Sequence, residues 1–271
     1  MMQKRTLLIT AIAVIVIGIS ITMISLNFQI DSPEFEVMDS NMPRAAILDQ
    51  LQSELPNESF HKKVTEYLQD AGYNVDYYPT EKITVGLYKQ LPSLDYDFIV
   101  IRSHSLGDGA VEPSASLFTG EKYTDHKYIK EQFLGYVGRG IPILSQELSQ
   151  TGGIQAHRNN TYFVIGSKMV DELMVGNFKN TTIVLAGCET MEKSRLADSF
   201  LKKGASNVIG WNGLVDARNN DGIVLEVLKE NLVNGVEINQ AVDSVMEQVK
   251  GKLIYENTTL LHHSYFDTHG A

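Results

Sequence analysis

The sequence predicts an α/β protein: a mostly parallel sheet covered by helices on both faces, preceded by one N-terminal transmembrane helix. Three observations predict it. From residue 44 onward, short continuous apolar runs alternate with segments whose apolar residues recur at helical spacing, the pattern of fully buried strands joined by helical crossovers. Residues 7–26, LLITAIAVIVIGISITMISL, contain no charge. Finally, 271 residues with 43% hydrophobic content suffice for a sizeable core and exclude a disordered or low-complexity chain.

The apolar run comes first. As a helix it reaches about 30 Å, the thickness of a bilayer core. Lys4 and Arg5 precede it, so residues 1–6 are expected in the cytoplasm and the rest of the chain outside. The run exceeds the roughly 7–15 apolar residues of a cleavable signal peptide, and ITMISLNFQ is a poor cleavage site. A retained signal anchor is therefore expected, and cleavage would instead yield a secreted protein. Residues 27–43 carry Asp31, Glu34, Glu36 and Asp39, two prolines and no basic residue, as a solvated tether would. N-x-Ser/Thr sequons at Asn57, Asn159, Asn180 and Asn257 suit an extracytoplasmic location in a glycosylating organism.

The α/β domain then occupies residues 44–271. AAILDQL (45–51) has the length of a strand. In NESFHKKVTEYLQDAG, Phe60, Val64, Tyr67, Leu68 and Ala71 repeat at helical spacing and Gly72 supplies the stop. NVDYYP is a second strand, TVGLYKQLPSL a short helix bent or ended by Pro92, and DFIVIRSH (97–104) a buried strand rich in β-branched residues. TTIVLAGC (181–188) is another, followed by a helix through Leu196, Ala197, Phe200 and Leu201 to Gly204. NVIGWNGLV (207–215) is one more. A long helical region from Asp221 follows, with Ile238, Ala241, Val242, Val245, Met246 and Val249 forming its apolar stripe.

Residues 105–160 break the alternation. ASLFTGEKYT suggests a hairpin or lone strand, HKYIKEQFLGYV a helix, and SQTGGIQAHRNN a loop; YFVIGSKMVDELM follows as a strand and a helix capped by Ser167. This stretch is expected to elaborate the sheet's carboxyl edge, where α/β proteins keep their ligand-binding loops.

Composition narrows the partners. Lys and Arg total 23 against 33 Asp and Glu, a formal charge of -10, which disfavours nucleic acid. One cysteine excludes an intrachain disulfide and cysteine zinc sites. No G-x-G-x-x-G or Walker loop follows the first strand, and GYVGRG does not sit at a strand-to-helix turn. A flavodoxin-like regulator needs an acidic cluster at the ends of the first strands, where Asp49 stands alone. In the tail LLHHSYFDTHG, His262, His263, Asp267 and His269 suggest an edge strand with its two adjacent histidines on opposite faces in preference to a metal site. No metal and no cofactor is expected.

His104 and Cys188 each end a buried strand and precede loop-forming residues. Parallel neighbours lie about 4.8 Å apart, so both side chains would open onto one crevice, with the imidazole placed to activate the thiol. The alternative is a surface histidine and a cysteine acting as a small hydrophobe.

DFIVIRSHS and TTIVLAGCETMEKSRLADSFLKKGASNVIGWNGLVDARNNDG resemble the His and Cys motifs of caspase-fold cysteine peptidases of clan CD, most nearly CHAT domains and more distantly legumain, gingipain and separase. The resemblance implies a three-layer caspase-like fold and a membrane-anchored thiol peptidase acting on a peptide or protein substrate. Its dyad would be His104 and Cys188, with backbone N–H groups of Ser105 and Cys188 as the oxyanion hole. Ser105 departs from the glycine usual after the histidine. Asp216, as a residue facing the crevice, and Trp211, as part of its wall, would receive a basic side chain and favour cleavage after Arg or Lys; alternatively Asp216 caps the following turn or helix. The competing expectation for the whole protein is a binding or sensor module that kept the fold and lost the chemistry.

Overall fold

The computed structural model describes residues 42–107, 114–142, 160–253, 255 and 257–264. The apolar run and the acidic tether lie outside them, and no helix among the described residues is long and apolar enough to cross a membrane.

In chain order the first elements are β1 (Arg44–Asp49), α1 (Glu58–Asp70), β2 (Asn74–Pro79), α2 (Val85–Gln90) and β3 (Phe98–Arg102). Then come β4 (Ser105–Leu106), β5 (Ser116–Lys122), α3 (Ile129–Phe133), β6 (Val137–Gly140), β7 (Tyr162–Ile165) and α4 (Ser167–Glu172). The last are β8 (Thr181–Ala186), α5 (Arg195–Lys202), β9 (Ala205–Trp211), α6 (Ala217–Leu228), α7 (Ile238–Val249) and β10 (Leu260–Ser264).

A six-stranded sheet runs in the order β2-β1-β3-β8-β9-β10. All its pairs are parallel except β9 with β10. Alternation along each strand gives it two apolar faces. Ala45, Ile47, Phe98, Val100, Val184, Ala186, Ile209 and Trp211 pack with α1, α6 and α7. Leu48, Ile99, Ile101, Ile183, Leu185 and Val208 face the other way and are equally buried, on the side where α5 packs against β9 and α4. This is why the strands read as continuous apolar runs. Local signals fix the helix ends. Asn57 Oδ1 accepts from Phe60 N–H at 3.0 Å to cap α1, and Gly72, at φ 91°, turns the chain out of it as expected.

The elaboration is a second, antiparallel sheet in the order β4-β5-β7-β6. Three expectations change here. The helix expected over HKYIKEQFLGYV is a single turn, because Gly135 at φ 72° ends it and Val137 pairs with Ile165. YFVI belongs to this second sheet, not to the parallel one. Ser167 is the first residue of α4 and Gly166 holds the cap position. The expected loop SQTGGIQAHRNN lies outside the described residues apart from Asn160. In the tail, His262 Nε2 lies 2.8 Å from Asn207 Oδ1 on β9.

At the carboxyl edge, the fully buried guanidinium of Arg102 joins the elements that frame the crevice. It donates to Asp221 through two parallel bonds of 2.8 and 2.9 Å, to Asp49 at 2.8 Å and to the carbonyl of Leu55 at 2.9 Å. Asn57 Nδ2 donates to Asp221 at 2.8 Å. Asn220 Nδ2 donates to Asp221 at 3.2 Å, while its Oδ1 accepts from the Trp211 indole at 2.8 Å. The isolated Asp49 thus has a structural role. Two carboxylates face one guanidinium, and burial pushes the Asp49 carboxyl up from its ordinary value against the pull of Arg102.

Removing the guanidinium leaves two buried carboxyl groups uncompensated. Arg102→Met is expected to cost about 3–5 kcal/mol of stability, whereas Asp49→Asn, which keeps the shape and removes the surplus charge, costs less. Urea unfolding followed by the fluorescence of the single tryptophan checks both. Equal losses in the two variants would show that shape, not charge, holds this edge together.

Candidate functional site

Parallel register brings the two motif residues level. Arg102 pairs with Ala186, and His104 and Cys188 each stand two residues beyond that pair, just past the ends of β3 and β8, since both strands stop two residues short of the expected ends. Both line a cleft of about 250 Å³ at the carboxyl edge, together with residues that follow β1 and β9. The approach of the two loops requires Gly187, since a Cβ there would lie 2.5 Å from the carbonyl oxygen of Ser103. Ser105 Oγ donates to the carbonyl of Cys188, tying the loops together through the side chain that the glycine pattern lacks.

His104 is held on two sides. Its N–H donates to Gln50 Oε1 at 2.9 Å, and its ring meets Phe118 edge-on, with centroids 5.8 Å apart. Nε2 lies 3.1 Å from Glu54 Oε2. The other Glu54 oxygen accepts from the Tyr162 hydroxyl at 2.8 Å. The bond to His104 holds the Glu54 carboxyl below its ordinary value, with burial opposing and Tyr162 assisting. Glu54 is therefore a carboxylate, so His104 presents a hydrogen to it on Nε2, and Nδ1 is the ring nitrogen not engaged by Glu54. Sequence reasoning missed Glu54. Its one signal was an acidic residue just past the end of β1, on the same sheet edge.

Cys188 is half-buried. Its thiol donates to the carbonyl of Val215 at 3.3 Å, and no hydrogen bond joins it to His104. Burial pushes the thiol above its ordinary value; the bond to Val215 pulls the other way. The resting thiol is thus in its neutral form. Glu189, the next residue, sits at φ 55°, a conformation that side-chain-bearing residues seldom adopt and that collects at functional turns. Its Oε2 accepts from Gly107 N–H at 3.1 Å.

The backbone N–H of Ser105 is not taken up by β5. His104 O accepts from Phe118 N at 3.1 Å, so His104 and Phe118 form a bonded pair of the antiparallel ladder. Ser105 and Leu117, next along, are then a non-bonded pair, and the Ser105 N–H points away from β5. The other two expected residues are elsewhere. Trp211 is fully buried on the same face as Ile209 and forms no wall of the cleft, because strand alternation turns it into the helical layer. Asp216 caps α6, accepting from Arg218 N–H at 3.0 Å, with the Arg218 side chain 3.7 Å away; its neighbours Val215 and Ala217 line the cleft and it does not.

Because burial favours the neutral thiol, the thiolate fraction at neutral pH is smaller than that of a free cysteine. Iodoacetamide labelling, unambiguous in a chain with 1 Cys, is expected to be slower than for free cysteine at pH 7 and to climb only above the ordinary value of 9.0. Labelling faster than free cysteine at pH 7 would contradict the neutral resting state.

Neither a protein-family model nor a curated protein matches the chain, so the meaning of this arrangement rests on its own chemistry.

Proposed function

We propose that the protein is a membrane-anchored, extracytoplasmic cysteine peptidase of caspase-like fold, using Cys188 as nucleophile and His104 as general base. The observation that carries the proposal is the level placement of these two residues just past the ends of neighbouring parallel strands, at the wall of one cleft. It also agrees with the motif resemblance, which expects a histidine after one hydrophobic strand and a cysteine after the next.

The chemistry follows from the resting state. With the thiol neutral, the proton leaves as sulfur attacks. Once substrate turns the side chain from the Val215 carbonyl, Nδ1 of His104 takes the thiol proton while Sγ adds to the substrate carbonyl carbon. The carbonyl oxygen becomes an oxyanion facing the N–H groups of Ser105 and Cys188. Its collapse breaks the C–N bond, and His104 returns the proton to the departing amine. Water, deprotonated by His104, then adds to the thioester carbonyl; the C–S bond breaks, and His104 returns the proton to the departing Sγ. Glu54 is a positioning residue that fixes the imidazole's tautomer and stabilises it when protonated. Residues 7–26 hold the domain at the outer face of the membrane.

The neutral thiol, bonded to Val215 and not to His104, favours a second reading: a binding or sensor module on the same fold. The two separate in one experiment on the full-length protein. Peptide hydrolysis is expected, and Cys188→Ala and His104→Ala should each abolish it with little change in thermal midpoint. Glu54→Gln should lower kcat about tenfold or more with KM nearly unchanged, and Glu54→Asp should restore part of it. A parent protein without turnover, whose stability falls sharply in Cys188→Ala, supports the binding module.

Topology has its own test. Protease added outside intact cells is expected to digest the domain and leave a short amino-terminal stub. Protection until lysis overturns the orientation, and a mature amino terminus near residue 27 overturns the anchor.

A further inference from the structure

We infer that the cleft receives a large apolar side chain, such as leucine, methionine or phenylalanine, on the acyl side of the attacked carbonyl. The inference rests on the role proposed for Cys188 and His104. The expectation of a basic side chain rested on Asp216, which is bound to the start of α6.

Three features of the cleft point the same way. First, its described walls are mostly apolar. Leu51 and Leu55 come from the turn after β1, Phe118 from the second sheet, and Leu214, Val215 and Ala217 from the loop after β9. Leu214 is 40% exposed, an uncovered apolar side chain of the kind that marks a contact surface where it adjoins others. The one carboxylate among the described lining residues, Glu189, already accepts from Gly107 N–H, so a buried Arg, Lys or Asp side chain would be desolvated without a dedicated partner.

Second, a volume of about 250 Å³ falls below the roughly 300–1,000 Å³ typical of sites for whole cofactors or drug-sized ligands. It suits one side chain with its flanking peptide. Third, Ser103 is one of the residues lining the cleft, and its buried Oγ has no hydrogen-bond partner among the described residues. Buried hydroxyls are rarely left so. An occupant that brings main-chain N–H or C=O groups along with its apolar side chain supplies the partner, and a bare hydrocarbon does not. The joint requirement is a peptide segment with an apolar residue.

Two measurements on the full-length protein test this. In the first, acetylated peptide aminomethylcoumarins differing only at the residue whose carbonyl is attacked are compared. Leucine, methionine and phenylalanine should exceed arginine, lysine and aspartate by about tenfold or more in kcat/KM, the scale on which apolar contacts discriminate. Leu214→Asp, at an exposed position that does not endanger the core, should narrow that gap. The second measurement needs no turnover: N-acetyl-leucinamide should slow iodoacetamide labelling of Cys188, and N-acetyl-argininamide should not. Hydrolysis with a basic or acidic preference overturns the apolar specificity and leaves the peptidase standing. Protection by the leucine amide without hydrolysis of any peptide overturns the peptidase and leaves the apolar pocket. Absence of both overturns the two together.

Discussion

A single buried guanidinium organises the edge of the sheet that carries the candidate site. Arg102 is the last residue of β3, and its partners come from β1, the turn after β1, and α6. Each of those segments also supplies a wall of the cleft or precedes one that does. The guanidinium is suited to the task because its donors point in fixed, coplanar directions. Bidentate pairing with Asp221 orients the start of α6, the bond to Asp49 fixes the end of β1, and the bond to the Leu55 carbonyl sets the chain between them. Its position over the ring of Phe60, 5.6 Å from the centroid, adds α1 to the same node. His104 lies two residues beyond Arg102, so the geometry of the candidate base is inherited from a charge network it does not touch.

The second sheet extends that dependence. Tyr162 of β7 reaches Glu54, and Phe118 of β5 lies against the His104 ring. The strands that interrupt the α/β alternation therefore brace the imidazole and its carboxylate partner. The thiol rests neutral while Glu54 beside His104 is ionised, both set by the burial and hydrogen bonds of this edge.

Much of the parallel sheet was legible in the sequence because its strands are buried on both faces and need no alternation to be recognised. His104 and Cys188 were legible for the same reason: the apolar runs stop just before them. What stayed hidden was non-local. Arg102 reads as the end of a strand, and nothing nearby reveals partners 53 and 119 residues away. Glu54 is 50 residues from His104. The spacing of Ile129, Phe133 and Val137 mimics a helix, and only pairing with β7 draws Val137 into a strand. Trp211 could have been placed by strand parity, which sets it with Ile209 on the helical face. Asp216 could have been placed by its position immediately before a helix.

Asn57 carries a consequence for biosynthesis. The nitrogen that donates to Asp221 is the same atom to which an oligosaccharyltransferase would attach a sugar at this sequon. Attachment precedes folding in a secretory pathway, so a glycan there would have to be accommodated while the one remaining amide N–H donates to a buried carboxylate, beside the cap of α1. Production in a host without N-linked glycosylation avoids the conflict. In a glycosylating host, replacing Ser59 removes the sequon while leaving the Asn57 amide in place.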